Sequence, residues 1–323
     1  MRSFAELRGS IPALVTPFDP DSLELDLLAL ADLADRAVLR GAAALVVCGT
    51  TGEAPAMRPD EQTRALHAVI EAVAGRVPVI AGIGAPCTES AVALAEAAGH
   101  AGAAGLLVAA PPYVRPGQEG LRAHIRAVVS RSGLPVMLYD VPSRAAVAFT
   151  DETIARLWEE GAIAAIKDAT ADLARPTRLR GLCGPELLQF SGDDGTAAAH
   201  LAMGGMGCVS VTANVTPALC AALDDAWRAG DLHRFGELRD LLAPLHAALF
   251  AETNPVPVKA ALHLLSLCAP TPRLPLLKAG EATMALLARN MAEITPEEET
   301  RARAMARARE LKAAALHWRR PAA

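Results

Sequence analysis

Aromatic residues are scarce in this 323-residue chain. They make up 3% of it, and only two are tyrosines, Tyr113 and Tyr139. A core so poor in rings has to be aliphatic, as in a helix-rich α/β protein. Long apolar runs are also missing. None approaches the roughly 20 residues of a membrane span, and residues 1–7 carry no secretory-leader core. There is no excess of positive charge, with 31 Lys and Arg against 36 Asp and Glu, which argues against nucleic acid as a partner. The six cysteines, Cys48, Cys87, Cys183, Cys208, Cys220 and Cys268, include no CxxC pair. Scattered this way they read as reduced core residues, and a cytoplasmic location is expected. The eight histidines form no ligand cluster. P-loop, dinucleotide fingerprint and GxSxG elbow are absent. The sequence therefore predicts no metal and no nucleotide cofactor.

What is present is alternation. Short apolar runs at residues 11–15, 43–48, 77–83, 105–109, 134–139, 162–166, 187–190 and 208–211 read as strands. Between them lie helical patterns at 25–39, 59–73, 88–98, 120–130, 150–159, 177–182 and 195–203, with Thr88 and Thr150 as expected N-caps. Continuously apolar strands imply a parallel sheet covered on both faces. A doubly wound sheet and a closed barrel both satisfy right-handed crossovers. Eight repeats in about 215 residues favour a TIM (β/α)8 barrel over residues 1–230. From residue 217 onward only helical patterns remain, and 231–323 reads as a C-terminal helical region. Its last stretch, 295–320, opens with Pro296 and a capping box of Thr295 and Glu298. It carries a thin apolar face of Ala304, Ala308, Leu311, Ala315 and Trp318. That pattern predicts a separate amphipathic helix with a basic polar face, docked on its own fold, with contact to another subunit or to an acidic partner as the alternatives.

In such a barrel the chemistry sits at the C-terminal ends of the strands. Lys167 follows the sixth apolar run. Burial disfavours an ammonium, and a neutral amine attacks carbonyls to form a Schiff base. A strand-end cap paired with Asp168 is the structural alternative. After the second strand, Gly49-Thr50-Thr51-Gly52-Glu53 offers hydroxyls and backbone N–H groups as a cradle for a carboxylate. Both tyrosines fall on the same face, after the fourth and fifth strands. A phenol there can relay protons, and Arg144 can grip a carboxylate. Asp193 and Asp194 read as caps for the helix that follows them. The set suits Schiff-base chemistry on a 2-oxo acid, in which an enamine formed on the lysine adds to an aldehyde.

At these residues the sequence resembles the dihydrodipicolinate synthase family, part of the pyruvate-dependent class I aldolases that include N-acetylneuraminate lyase. The motifs are Val15-Thr16-Pro17-Phe18, Gly49 to Glu53, Tyr139 to Arg144, Ile166 to Thr170, Ser191 to Asp194, Ser210 to Asn214, and Asn254-Pro255-Val256-Pro257-Val258-Lys259. The resemblance implies that Lys167 is the Schiff-base lysine. Tyr139, Thr50 and Tyr113 would relay protons, with Tyr113 reaching into a neighbouring subunit of a dimer or homotetramer. Thr51 would bind the pyruvate carboxylate, with Thr50, and Arg144 that of L-aspartate 4-semialdehyde. Gly192 and Val209 would line the pyruvate pocket. The implied reaction makes 4-hydroxy-tetrahydrodipicolinate for lysine and diaminopimelate synthesis, with no cofactor beyond the imine on Lys167 and small molecules as partners. Asp140 stands where the family usually has asparagine, so its charge bears on the second substrate. Another lyase or dehydratase of the superfamily, acting on a sugar acid or a hydroxyproline-derived substrate, is the alternative; a non-catalytic barrel is a third. Ala54, Pro55, Pro59, Gln62, Pro86, Ser90 and Pro112 replace the family's lysine-binding side chains, so lysine inhibition is not expected.

Overall fold

A computed structural model describes residues 6–318, with side chains through Leu311. Eight parallel strands run in the order β1-β8-β7-β6-β5-β4-β3-β2: β1 Gly9–Pro12, β2 Leu45–Val47, β3 Val79–Ile83, β4 Gly105–Ala109, β5 Val136–Asp140, β6 Ala165–Asp168, β7 Leu188–Ser191 and β8 Gly207–Ser210. A bridge from Ala13 to Val46 joins β1 to β2 and closes the ring. The helices α1 Leu27–Leu39, α2 Pro59–Val73, α3 Thr88–His100, α4 Gln118–Ser132, α5 Pro142–Ala145, α6 Asp151–Glu159, α7 Arg175–Cys183 and α8 Ala197–Ala202 cover the outside. The molecule is the (β/α)8 barrel expected.

Alternation along each strand separates two cores. Ile11, Val46, Ile80, Leu107, Met137, Ala165, Phe190 and Val209 point inward and fill the barrel. Their sequence neighbours face the helices. Ile11, Ile80 and Leu106 are fully buried, each contributing about 1.5–3 kcal/mol by leaving water. After the barrel come α9 Pro217–Ala229, α10 Leu232–Ala248, α11 Val256–Leu264 and α12 Glu281–Trp318. They share a second cluster that includes Leu219, Leu242, Leu262 and Leu287.

Five expectations change. Strand β6 extends to Asp168, so Lys167 lies inside the sheet rather than at its exit. Thr88 is not the cap of α3; Cys87 holds that position, and the Thr88 hydroxyl meets His124 Nδ1 at 3.0 Å. The helix predicted at 295–320 is not separate: one continuous helix, Glu281–Trp318, runs through Pro296. Proline removes one backbone donor, but Ile294 before it and Glu298 after it are both buried. Finally, Glu298 makes no capping box with Thr295. Its carboxylate accepts from the N–H groups of Ala218 and Leu219 at 3.1 and 2.9 Å, capping α9 instead, and pairs with Arg40 at 2.9 Å. The tail docks through Ile294, Glu298 and Met305, with Arg309 reaching the Val38 carbonyl. Ala304, Ala308 and Leu311 of the expected apolar face stay exposed. The side chains of Ala315 and Trp318 lie outside those described.

Candidate active site

Lys167 is the third residue of β6 and is 5% exposed. The parallel register sets it beside Tyr139 of β5 and Phe190 of β7. Its Nζ stands 4.2 Å from the centroid of the Tyr139 ring. Among the described residues no carboxylate is paired with it. Asp168 does not fill that role, because its carboxylate accepts from the Thr170 N–H and hydroxyl at 2.8 and 2.6 Å. The amine is therefore held in the barrel mouth by packing, without an ion pair. Gly192, just past β7, is required by this packing. A Cβ there would lie 2.9 Å from Ala169 Cβ and 3.0 Å from Lys167 Cε. Val209 is 1% exposed and packs in the same inner cluster.

The turn after β2 forms the opposite wall. Thr50 lines a cavity with Gly49, Gly82, Leu107, Ala109 and Tyr139. Gly82 is needed there because a Cβ would run into the Cys48 carbonyl. The N–H groups of Gly52, Glu53 and Ala54 are used within the turn, which narrows the cradle to the hydroxyls and the remaining N–H groups. Thr51 is buried and its hydroxyl accepts from Asn254 Nδ2 at 3.0 Å. That bond leaves the Thr51 proton free to be donated to a ligand. A second cavity of about 230 Å³ adjoins the first through Thr50 and is lined by Arg144, Asn254, Arg273, Leu274 and Leu276. Arg144 is exposed at its rim, with Nη2 donating to the Asn254 carbonyl at 3.0 Å. Asn254 thus ties Thr51 to Arg144. Its own Oδ1 is buried with no partner.

Lys167, Tyr139, Thr50, Thr51, Gly192 and Val209 come together at one barrel end, with Arg144 at the rim. Tyr113 does not join them. It is 92% exposed on the loop after β4, with φ +75°, and lines neither cavity.

Asp140 is fully buried on the far side of β5 from Tyr139. It accepts from Arg175 Nη1 at 2.7 Å, and Arg175 also meets Asp151 and the Phe149 carbonyl. Burial pushes the Asp140 carboxyl up from its ordinary value while Arg175 pulls against it. The extra charge is thus answered behind the barrel wall. Asp194 does not cap the helix that follows it. It accepts from the Ser210 hydroxyl and from the N–H groups of Val211 and Thr212, fastening β8 to β7. Sequence reasoning gave Asn254 and Lys259 no role. Their signal was a polar residue at each end of an otherwise apolar Pro-containing segment. Arg175 carried no signal beyond its charge.

A family model described as the dihydrodipicolinate synthetase family matches residues 6–293. The 4-hydroxy-tetrahydrodipicolinate synthase of Rhodospirillum centenum is 47% identical over 85% of this chain and 94% of its own. A solved monomeric dihydrodipicolinate synthase variant superposes with a TM-score of 0.86 at 37% identity, covering 89% of this chain and 96% of that one. The enzyme of Cyanidioschyzon merolae, solved with lysine bound, gives 0.87 at 33% identity over 90% and 99% of the two chains.

Proposed function

The chain belongs to the dihydrodipicolinate synthetase family, and from that premise we propose that it condenses pyruvate with L-aspartate 4-semialdehyde to 4-hydroxy-tetrahydrodipicolinate. The observation that carries the reading is the buried, unpaired Lys167 against the face of Tyr139, with Gly192 leaving room beside its stem. In this reading the Lys167 amine attacks C2 of pyruvate and water leaves, forming an imine. Loss of a C3 proton gives the enamine, which adds to the aldehyde carbon. The amino group of the bound semialdehyde then closes on the imine carbon and displaces Lys167. Tyr139 and Thr50 move the protons. Thr51 donates its hydroxyl proton to the pyruvate carboxylate, and Arg144 grips that of the semialdehyde. Arg144 favours this acceptor over a sugar acid.

Tyr113 supports an oligomer, since its 92% exposure suits a ring that completes a neighbour's site. A dimer or homotetramer is the proposed state. Residues 1–230 serve as the catalytic unit and 231–323 as its helical support. Six unpaired thiols fit the reducing cytoplasm. No helix among the described residues is long and apolar enough to cross a membrane. Lysine is not an inhibitor in this reading, because Pro55, Pro59 and Pro112 offer no side-chain donor or acceptor. Half-inhibition of the wild type by millimolar lysine would contradict it.

The main test is a coupled assay with both substrates on wild type and Lys167→Ala, with borohydride trapping of pyruvate. Turnover and a single adduct on Lys167, both lost in the variant, are expected. Trapping without turnover would move the reaction to another aldehyde. Absence of both turnover and trapping would overturn the reading.

A further inference from the structure

We propose that Lys259 is a positioning residue for the carboxylate-binding turn: acting through Glu53, it holds Thr50 and Thr51 where pyruvate needs them and so sets pyruvate affinity without touching the substrate. The proposal rests on the Schiff-base reading above. Cys48 and Glu53, at the two ends of the turn, have φ of 57° and 53°. These are left-handed conformations that non-glycine residues keep only where their surroundings over-determine them.

At Glu53 the surroundings are specific. Lys259, fully buried, places Nζ 2.5 Å from Glu53 Oε1. The side chains are 0% and 2% exposed. Glu53 Oε2 accepts from the Arg273 N–H at 2.9 Å. Lys259 Nζ also donates to the Thr271 carbonyl at 3.0 Å and stands 4.2 Å from the centroid of Phe18. The ammonium therefore has a carboxylate, a carbonyl and a ring around it. None of these partners is water, so none can be replaced freely when the pair is broken.

The same short segment holds the turn a second time. Asn254, five residues before Lys259, donates to the Thr51 hydroxyl at 3.0 Å. The two anchors bracket the turn, one on Thr51 and one on Glu53. The Thr50 carbonyl accepts from the Glu53 N–H at 3.1 Å, and no side-chain bond of Thr50 stands among those of the described residues, so its place follows from these neighbours. Between the anchors, the Thr16 hydroxyl donates to the Gly52 carbonyl at 2.7 Å. Removing Lys259 leaves Glu53 a buried anion beside Thr51. The cheapest relief is for the turn to swing the carboxylate toward solvent through the adjoining mouth cavity, which Glu53 already lines. That movement carries Thr50 and Thr51 with it. Arg144 sits on α5 and bonds to the Asn254 carbonyl rather than to the turn, so the second substrate's carboxylate site is disturbed less.

The test uses full-length Lys259→Met, assayed well below its melting temperature. The expected result is a tenfold or larger rise in the pyruvate concentration for half-maximal borohydride trapping and in the pyruvate KM. The KM for the semialdehyde should change less than threefold. Glu53→Gln keeps the shape and the Arg273 contact but removes the charge. It should raise the same pyruvate constants three- to tenfold, and it supplies the answer if Lys259→Met does not fold. Folded variants with a lowered melting temperature and pyruvate constants within twofold of wild type would overturn the proposal, leaving the pair a purely structural staple. Failure of the wild type to trap pyruvate on Lys167 would be a different result, striking the Schiff-base reading and this proposal with it.

Discussion

At the scale of single residues, Asp140 is the informative departure. A carboxylate one position from Tyr139 looks in sequence like a change to the active site. In the fold it faces the helices and is paired with Arg175, itself 3% exposed. Adjacent strand residues point to opposite faces, so a single position separates a side chain facing the barrel interior from one facing the helices. Asp140→Asn should therefore leave the ratio of kcat/KM for alternative aldehydes within threefold of wild type. Its effect should be on stability, about 1–3 kcal/mol in denaturant melts, because Arg175 loses a buried partner but keeps Asp151. A changed substrate ranking at unaltered stability would contradict that assignment. The other residue-scale lesson is Gly192, whose missing Cβ makes room for Lys167. No pattern in sequence distinguishes a glycine kept for a turn from one kept for a neighbour's stem.

At the scale of elements, the C-terminal helix matters most. Residues after 293 lie beyond the family match, yet Glu298 is 2% exposed and supplies the cap of α9. Two N–H groups at a helix start, a carboxylate and Arg40 make a charge-assisted cap. Glu298→Ala should cost roughly 1–3 kcal/mol of unfolding free energy. The exposed Glu297→Ala should stay within about 0.5 kcal/mol. Equal effects from both would show that the tail does not cap α9. The capping box of Thr295 and Glu298 was legible as a local pattern and was misleading. A local signal names the groups that can pair, and only packing decides which donors they meet.

At the scale of the whole molecule, the seam behind β1 and β8 is where pH enters. Asp224 of α9 lines a small cavity with Ser10, Asp194, Cys208 and His246. Burial raises its carboxyl to about 7, and the Ser10 hydroxyl there has no partner. A folded-state value above the unfolded one means the native protein binds this proton more tightly. Its contribution is present in full below about pH 4 and is lost as pH rises through 7. Asp224→Asn removes that loss. The variant should melt higher than wild type at pH 8 and gain up to about 4 kcal/mol of unfolding free energy, with the difference shrinking toward pH 4. An unchanged or lowered melting temperature at pH 8 would contradict the buried carboxyl.

By itself the sequence determined the barrel and the identity of its chemistry. Eight apolar runs at regular spacing can be buried only in a parallel sheet covered on both faces; Lys167 and Tyr139 lie in the last two residues of β6 and β5 and the Gly49 to Glu53 turn follows β2, so connectivity alone puts them near one end of the barrel. Tertiary structure decided the rest. Asn254 bridging Thr51 and Arg144, Arg175 answering Asp140, Lys259 bracing Glu53 and Glu298 capping α9 all join residues at least 35 positions apart, most of them far more. Hydrogen bonds and ion pairs act over a few ångströms in space and leave no period along the chain. Their partners become visible only once the strands and helices have been brought together.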